Sequence, residues 1–232
     1  MTNDDWVRPT DEVLARAKER ALSALEPERS GWRLRRYYTV TGDYAGASFA
    51  SIGTNDPERI GADDLFATTL LSVPIPAGAA RLLTQDAGTR EAVHAALRNL
   101  PRTPLEDVDD NGLRDMEVFY RHVKGALAKA GVENANPWVT ASKLCARKRP
   151  DLFPVRDNVV CQLLGLLPKG NYQVDWQVFS HLVGDSDVRR AIDSAKSAAL
   201  SDADGQVVVD EEPLRILDAA LWTSEIMREP AA

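Results

Sequence analysis

Breaks at proline and glycine, recurring every ten to twenty residues, constrain this chain more than any other feature. The 232 residues carry 13 prolines and 14 glycines, and the stretches between them repeat their apolar residues at helical rather than strand spacing. The pattern predicts helices over residues 10–24, 62–73, 78–83, 90–100, 112–130, 140–148, 158–166, 174–183, 187–200 and 213–227. Local signals agree with several of these bounds. T-D-E-V opens the first like a capping box, and Asp63 and Asp64 sit in the first turn of the second, where the helix dipole favours acids. Pro74 and Pro76 then stop it. The aromatic and branched residues of 32–40, followed by TGDYAG, read instead as a short strand pair or an irregular lead-in, with a weak strand candidate at 206–209. The expectation is an all-α fold with an irregular or short-β N-terminal segment. Residues 1–60 form a helix and aromatic lead-in packed on the core, and residues 61–232 form the main helical domain.

A chain of this length buries a sizeable core, and its 44% apolar content is ordinary for a globular protein. The net charge of −7 argues against a general nucleic-acid coat protein. A local basic footprint remains compatible with it, because salt screens surface charge within about 8 Å. No apolar run approaches the roughly 20 residues of a membrane span, and the polar N-terminus does not resemble a signal peptide. A cytoplasmic, monomeric protein without membrane partners is expected. Cys145 and Cys161 are too few for a zinc or iron–sulfur cage and read as reduced core thiols. His94, His122 and His181 lack metal-ligand spacing, so no metal and no cofactor are expected.

Residues 138–165, WVTASKLCARKRPDLFPVRDNVVCQLLG, gather five basic side chains: Lys143, Arg147, Lys148, Arg149 and Arg156. Lys143 and Arg147 are four apart and share a helix face. The backbone N–H groups of a helix opening at Thr140, with Ser142 beside it, would suit an anion. Such a face fits a phosphodiester backbone, where cations supply affinity without reading sequence. It also fits a plain solvated face, or one paired with the acidic body. Asp157 follows Pro154 and opens the apolar run NVVCQLLG. That is an ordinary N-cap position, and an acid held there is also placed to orient water or stabilise a cationic transition state.

The segment TASKLCARKRPDLFPVRDNVVCQLLG resembles the second half of the helix-hairpin-helix DNA glycosylase signature, known from endonuclease III and its relatives. In that family the catalytic aspartate lies about sixteen residues after an alanine near the start of a helix, in a P-V-D-T-H-like turn. Ala141, Asp157 and P-V-R-D-N-V-V occupy those places here. DDLFATTLLSVPIPAGAARLL is similar in pattern to the family's early helix pair. Together the matches span roughly residues 62–165. The chain departs from the family at GVENANPWV, which replaces the glycine-rich hairpin, and at Val139, which takes the place of the nucleophilic lysine of bifunctional members. Lys143 lies one turn later on the same face. The four-cysteine iron–sulfur loop is absent, and Val73-Pro74 replace a familiar glutamine. The chain also resembles an uncharacterised domain family common in actinobacteria.

The resemblance implies a two-lobed helical fold that extrudes a nucleotide from double-stranded DNA and encloses its base between lobes. Asp157 would act as the catalytic carboxylate, stabilising the oxocarbenium-like sugar and helping water attack. Thr140, Ser142, Lys143, Arg147, Lys148, Arg149 and Arg156 would hold DNA. Without a lysine at Val139 the reaction would stop at the abasic site. For the base pocket the candidates are Asp218 and Trp222, four apart on an apolar helix, with Trp138 and the lead-in residues Tyr37, Tyr38, Asp43 and Tyr44. Packing or core hydrogen bonding is the competing reading for each. The mismatch with common repair enzymes points to a damaged or modified base, including modified phage bases in antiviral defence. The alternatives are a non-catalytic nucleic-acid-binding module and a helical protein whose basic face meets an acidic partner.

Overall fold

The computed structural model describes residues 6–128, 136–166, 170–201 and 206–227. They form an all-α fold of α1 (Asp11–Ala24), α2 (Pro27–Tyr37), α3 (Gly46–Ser51), α4 (Ala62–Thr69), α5 (Ala77–Thr84), α6 (Ala87–Arg98), α7 (Asp110–Ala128), α8 (Trp138–Lys148), α9 (Asn158–Leu164), α10 (Tyr172–Gly184), α11 (Ser186–Leu200) and α12 (Pro213–Ile226). A 3-10 turn, Leu105–Asp107, precedes α7. Among the described residues no helix is long and apolar enough to cross a membrane.

Helix starts follow local chemistry. The Thr10 hydroxyl accepts from Val13 N at 3.3 Å, Asp86 from Thr89 N at 2.8 Å, and Asp185 from the amides of Asp187 and Val188. Each satisfies a donor that the first helical turn leaves without an internal partner. Cys145 and Cys161 are buried free thiols.

Three expectations need correction. Residues 32–37, read as strand or irregular, are the second half of α2, which begins at Pro27 in the N1 position where a missing N–H costs nothing. Tertiary contact decides this. A Cβ on Gly31 would lie 2.7 Å from Ala198 Cβ, so glycine lets α2 press against α11. Arg35 then donates to the terminal carbonyls of α11 at Ala198 and Ala199. The strand candidate at 206–209 survives only as an isolated antiparallel bridge between Thr39 and Val207. The helix expected to run to residue 73 stops at Thr69. Its last carbonyls tighten into i→i+3 bonds from Leu70, Leu71 and Ser72, and Ser72 takes φ +60°.

The helices pack in two groups. The first two join the last four, with α2 against α11 and α12 and α1 against α9 to α12. The middle helices form the second group, with α7 against α6 and α8, and α4 against α3, α5 and α8. One apolar cluster runs through both, from Leu34 and Leu83 to Phe153, Trp176 and Leu217. At its centre lies α8. Every residue from Thr140 to Lys148 on that helix is buried.

Candidate functional site

Where the two groups meet, a cavity of about 280 Å³ opens, near the lower end of the roughly 300–1,000 Å³ of small-molecule sites. The end of α2 contributes Tyr37 and Tyr38, and the following loop adds Asp43 and Tyr44. Leu70, Leu71 and Ser72 come from the tightened end of α4, and Lys143 from α8. The 154–157 turn adds Val155 and Asp157. From the C-terminal side come Asp210, Arg215, Asp218 and Trp222.

One wall is aromatic. The rings of Tyr37, Tyr44 and Trp222 lie 5.9–6.1 Å apart, tilted or edge-on to one another, geometries that aromatic quadrupoles favour. The Arg36 guanidinium sits 5.6 Å from the Tyr44 ring centre. Burial pushes the Tyr37 phenol up to about 12 and the Tyr38 phenol well above its usual value, so both remain neutral hydroxyls at physiological pH.

Asp157 is both the N-cap of α9 and a wall of this cavity. Its Oδ1 accepts from Val159 N and Val160 N, each at 2.9 Å. Among the described residues Oδ2 has no hydrogen-bond partner. The two amides fix the carboxylate in place while one oxygen stays uncommitted. Lys143 faces the same space with Nζ bonded to Leu71 O at 2.7 Å. Burial lowers its pKa, and the Asp157 charge partly restores it.

Arg215 and Asp218, one helical turn apart on α12, form an ion pair with side chains only 4% and 6% exposed. Asp218 Oδ2 also accepts from Val155 N at 2.8 Å. Three polar atoms of this buried pair, Arg215 Nε, Arg215 Nη2 and Asp218 Oδ1, have no hydrogen-bond partner among the described residues. In total four carboxylates face two cations around the cavity, a field that favours a neutral or cationic ligand over an anion.

The structure therefore brings together Tyr37, Tyr38, Asp43, Tyr44, Lys143, Asp157, Asp218 and Trp222 from the sequence candidates. It separates the rest. The expected phosphate-holding face is turned inward, because the cations of α8 serve the ends of neighbouring segments. Arg147 donates to the carbonyls of Phe49, Ala50 and Ile52, closing the C-terminus of α3, and pairs with Asp64. Lys148 donates to Asp56 O and Arg59 O, and to Asp64 Oδ2 at 2.9 Å. Helix C-termini and loop carbonyls attract cations, and these side chains are at most 1% exposed.

Arg156 is fully buried. It donates to Asp175 Oδ2 at 2.6 and 2.8 Å and to Ser142 Oγ at 3.1 Å. Its guanidinium also lies 5.4 Å from the Trp138 ring centre and 5.9 Å from that of Tyr120. Trp138, expected in the base pocket, belongs to this cluster and packs on Gly170 instead. Thr140 and Ser142 are buried on α8. Arg149 is committed to Asp151 by two bonds, at 2.7 and 2.9 Å. Residues 131–135, where the replaced hairpin would fall, lie outside the described residues.

Sequence reasoning missed Arg215, Asp210 and Ser72. Arg215 carried a signal: with Asp218 it is one of two charges one turn apart in the otherwise apolar run PLRILDAALW. Ser72 carried none, since its φ of +60° is uncommon for a residue other than glycine. Among the described residues no group of three or more His, Cys, Asp or Glu side chains is placed to hold a metal ion.

A family of unknown function, DUF6308, matches residues 31–225. That is most of the chain, and the protein belongs to this family. Its matched span contains every residue of the cavity. No curated protein and no solved structure matches the chain.

Proposed function

We propose that the cavity cleaves an N-glycosidic bond, acting as a monofunctional glycosylase on a damaged or modified base extruded from DNA. The observation that carries this reading is Asp157, with one oxygen anchored by two backbone amides and the other uncommitted beside an aromatic wall. Hydrolysis of a nucleotide breaks the C1′–N bond and builds positive charge on the sugar. The electron pair leaves with the base, which takes up a proton, and water adds to C1′. A fixed carboxylate stabilises that charge and accepts the proton of the attacking water, without reorganising during the step. The tyrosine and tryptophan rings offer a stacking surface for the base. The excess of carboxylates suits a cationic transition state and disfavours an anionic ligand.

The resemblance of 140–165 to the glycosylase signature supports the same assignment of Asp157. A modified phage base, and with it a role in antiviral defence, is the substrate class that the unfamiliar pocket favours. The inward-turned cations of α8 favour a second reading, in which the same chemistry acts on a free nucleoside and no DNA backbone is gripped. A non-catalytic nucleic-acid module rests on the basic face that is buried here.

The test is base release from a panel of damaged, deaminated and hypermodified DNAs, including phage DNA with modified cytosines, run beside the corresponding free nucleosides. Alkali-dependent strand breaks that vanish in Asp157→Asn support the DNA reading. Base release from nucleosides alone moves the substrate to the free form. Breaks without alkali would assign carbonyl chemistry to Lys143 and overturn the monofunctional reading. Silence on every substrate would sink the glycosidic assignment.

A further inference from the structure

Arg156 immediately precedes Asp157 in the chain, yet its side chain is fully buried and takes no part in lining the cavity. Its guanidinium joins the two helix groups instead. Two bonds, at 2.6 and 2.8 Å, reach Asp175 Oδ2 on α10, and a third, at 3.1 Å, reaches Ser142 Oγ on α8. The ring centres of Trp138 and Tyr120 lie 5.4 and 5.9 Å from it. The side chains of the ion pair are 0% and 1% exposed. One planar peptide unit separates this anchor from Asp157, whose carboxylate is then aimed by the amides of Val159 and Val160. Adjacent residues of one turn are thus tied to three helices, α8, α9 and α10, drawn from both groups.

A buried ion pair is a costly route to stability. Apolar residues of similar volume in place of both partners are often neutral or stabilising. What a rigid fork of donors supplies is direction. We infer that Arg156 and Asp175 are positioning residues, which hold the 154–157 turn at the junction of the two helix groups and keep Asp157 aimed into the cavity. This rests on Asp157 being the catalytic acid of that cavity. A carboxylate that stabilises a developing charge has to be in place before the step begins, and a displacement of about 1 Å costs about a hundredfold in rate. The cavity opens where the groups meet, so a shift between α8 and α10 would move Asp157 against the walls that face it. The Arg156 fork spans those two helices and resists that shift.

The experiment combines Arg156→Met with Asp175→Leu in the full chain, which removes both charges and leaves no unpaired ion in the core. Hydrogen exchange followed by NMR reads the amides of Val159 and Val160, whose acceptor is the Asp157 side chain, against amides in the middle of α7. This measurement needs no substrate. The two amides should exchange about tenfold faster than in the wild type, while Tm stays at or above the wild-type value. On whichever substrate the wild type cleaves, kcat should fall about a hundredfold. KM should stay unchanged, because the carboxylate acts in the transition state rather than in binding.

Unchanged exchange at Val159 and Val160 in the folded double variant overturns the inference. So does a loss of activity that only follows a loss of Tm, which would mark the pair as part of the scaffold. If the double variant does not fold, the same two readouts on Arg156→Lys decide the matter, since lysine keeps the charge for Asp175 but gives up the fork that also reaches Ser142. Faster exchange in the variant, with no base release by the wild type from any substrate, would sink the glycosidic reading and leave Asp157 held as described. Equal base release by wild type and variant would do the reverse.

Discussion

Replacing Asp64 by alanine removes the one carboxylate that holds two buried cations. Asp64 is 1% exposed, Arg147 is 1% and Lys148 is 0%. The same carboxylate caps α4 by accepting from Gly61 N at 2.9 Å. Removing one member of a buried ion pair costs about 3–5 kcal/mol, because the partner keeps its desolvation penalty and loses its compensation. The lost cap adds about 1 kcal/mol. The carbonyls of Phe49, Ala50, Ile52, Asp56 and Arg59 still solvate the two cations, which places the expected loss near 4 kcal/mol, within the range for breaking such pairs. That is a large share of the ~5–15 kcal/mol that holds a domain together. It corresponds to a drop in Tm of about 8–16 °C at this chain length.

The loss should also depend on pH. Burial already lowers the Lys148 pKa below 10.5, and the hydrogen bond that Lys148 donates to Asp64 works against that shift. Without Asp64 the folded-state pKa falls further. The unfolded chain then binds more protons between that value and 10.5, so stability rises with pH across the window. Chemical denaturation followed by far-UV circular dichroism at neutral pH and again near pH 10 measures both effects. A loss under about 1 kcal/mol at neutral pH, or a gap from wild type that does not narrow toward pH 10, refutes the reasoning. Adding Lys148→Met to Asp64→Ala should cost less than the sum of the two single changes.

Asp157→Asn should keep the α9 cap, changing stability by less than about 1 kcal/mol, while base release falls by about 10²–10⁴. Retained activity in a folded Asn variant would remove Asp157 from the chemistry. His94 Nε2 accepts from Ile60 N at 3.3 Å, a bond that needs the neutral ring, and burial lowers its pKa below 6.5, helped by Arg90 and Arg98. Its contribution should be full above pH 6.5 and should fade as pH falls from there through the lower folded-state value, so His94→Gln should flatten the acid side of a Tm-against-pH curve. Burial pushes the Cys161 thiol up to about 12 and the Cys145 thiol well above its usual value. Ellman's reagent should therefore find no reactive thiol in the native protein and two after denaturation. Rapid modification of the native chain would show that the α8–α9 core opens.

Much of the fold was legible in the sequence because helix formation is a local matter. Proline at N1, acids in first turns, and side-chain caps such as Thr10 and Asp157 act within a few residues of themselves, so the all-α class and most helix starts outside α2 and α3 could be read directly. So could Asp157 as a cap and the aromatic lead-in as a candidate wall. The exceptions mark where distant parts of the chain intervene. Helix α2 exists where aromatic and branched residues spoke for a strand, because Gly31 admits the close approach of Ala198.

The direction of the basic side chains was likewise beyond the sequence. A helix bearing Lys143, Arg147 and Lys148 faces solvent or core depending on what lies opposite. The carboxylate that draws Arg147 and Lys148 inward, Asp64, is 83 and 84 residues away. The cavity too is assembled from segments scattered from Tyr37 to Trp222. Short-range hydrogen bonding determined which residues are helical and which of them cap. Long-range packing decided which charges are buried, which remain unpaired, and that Asp157, Lys143 and the Arg215–Asp218 pair share one space, because the cost of burying a charge is set by neighbours that only the folded chain supplies.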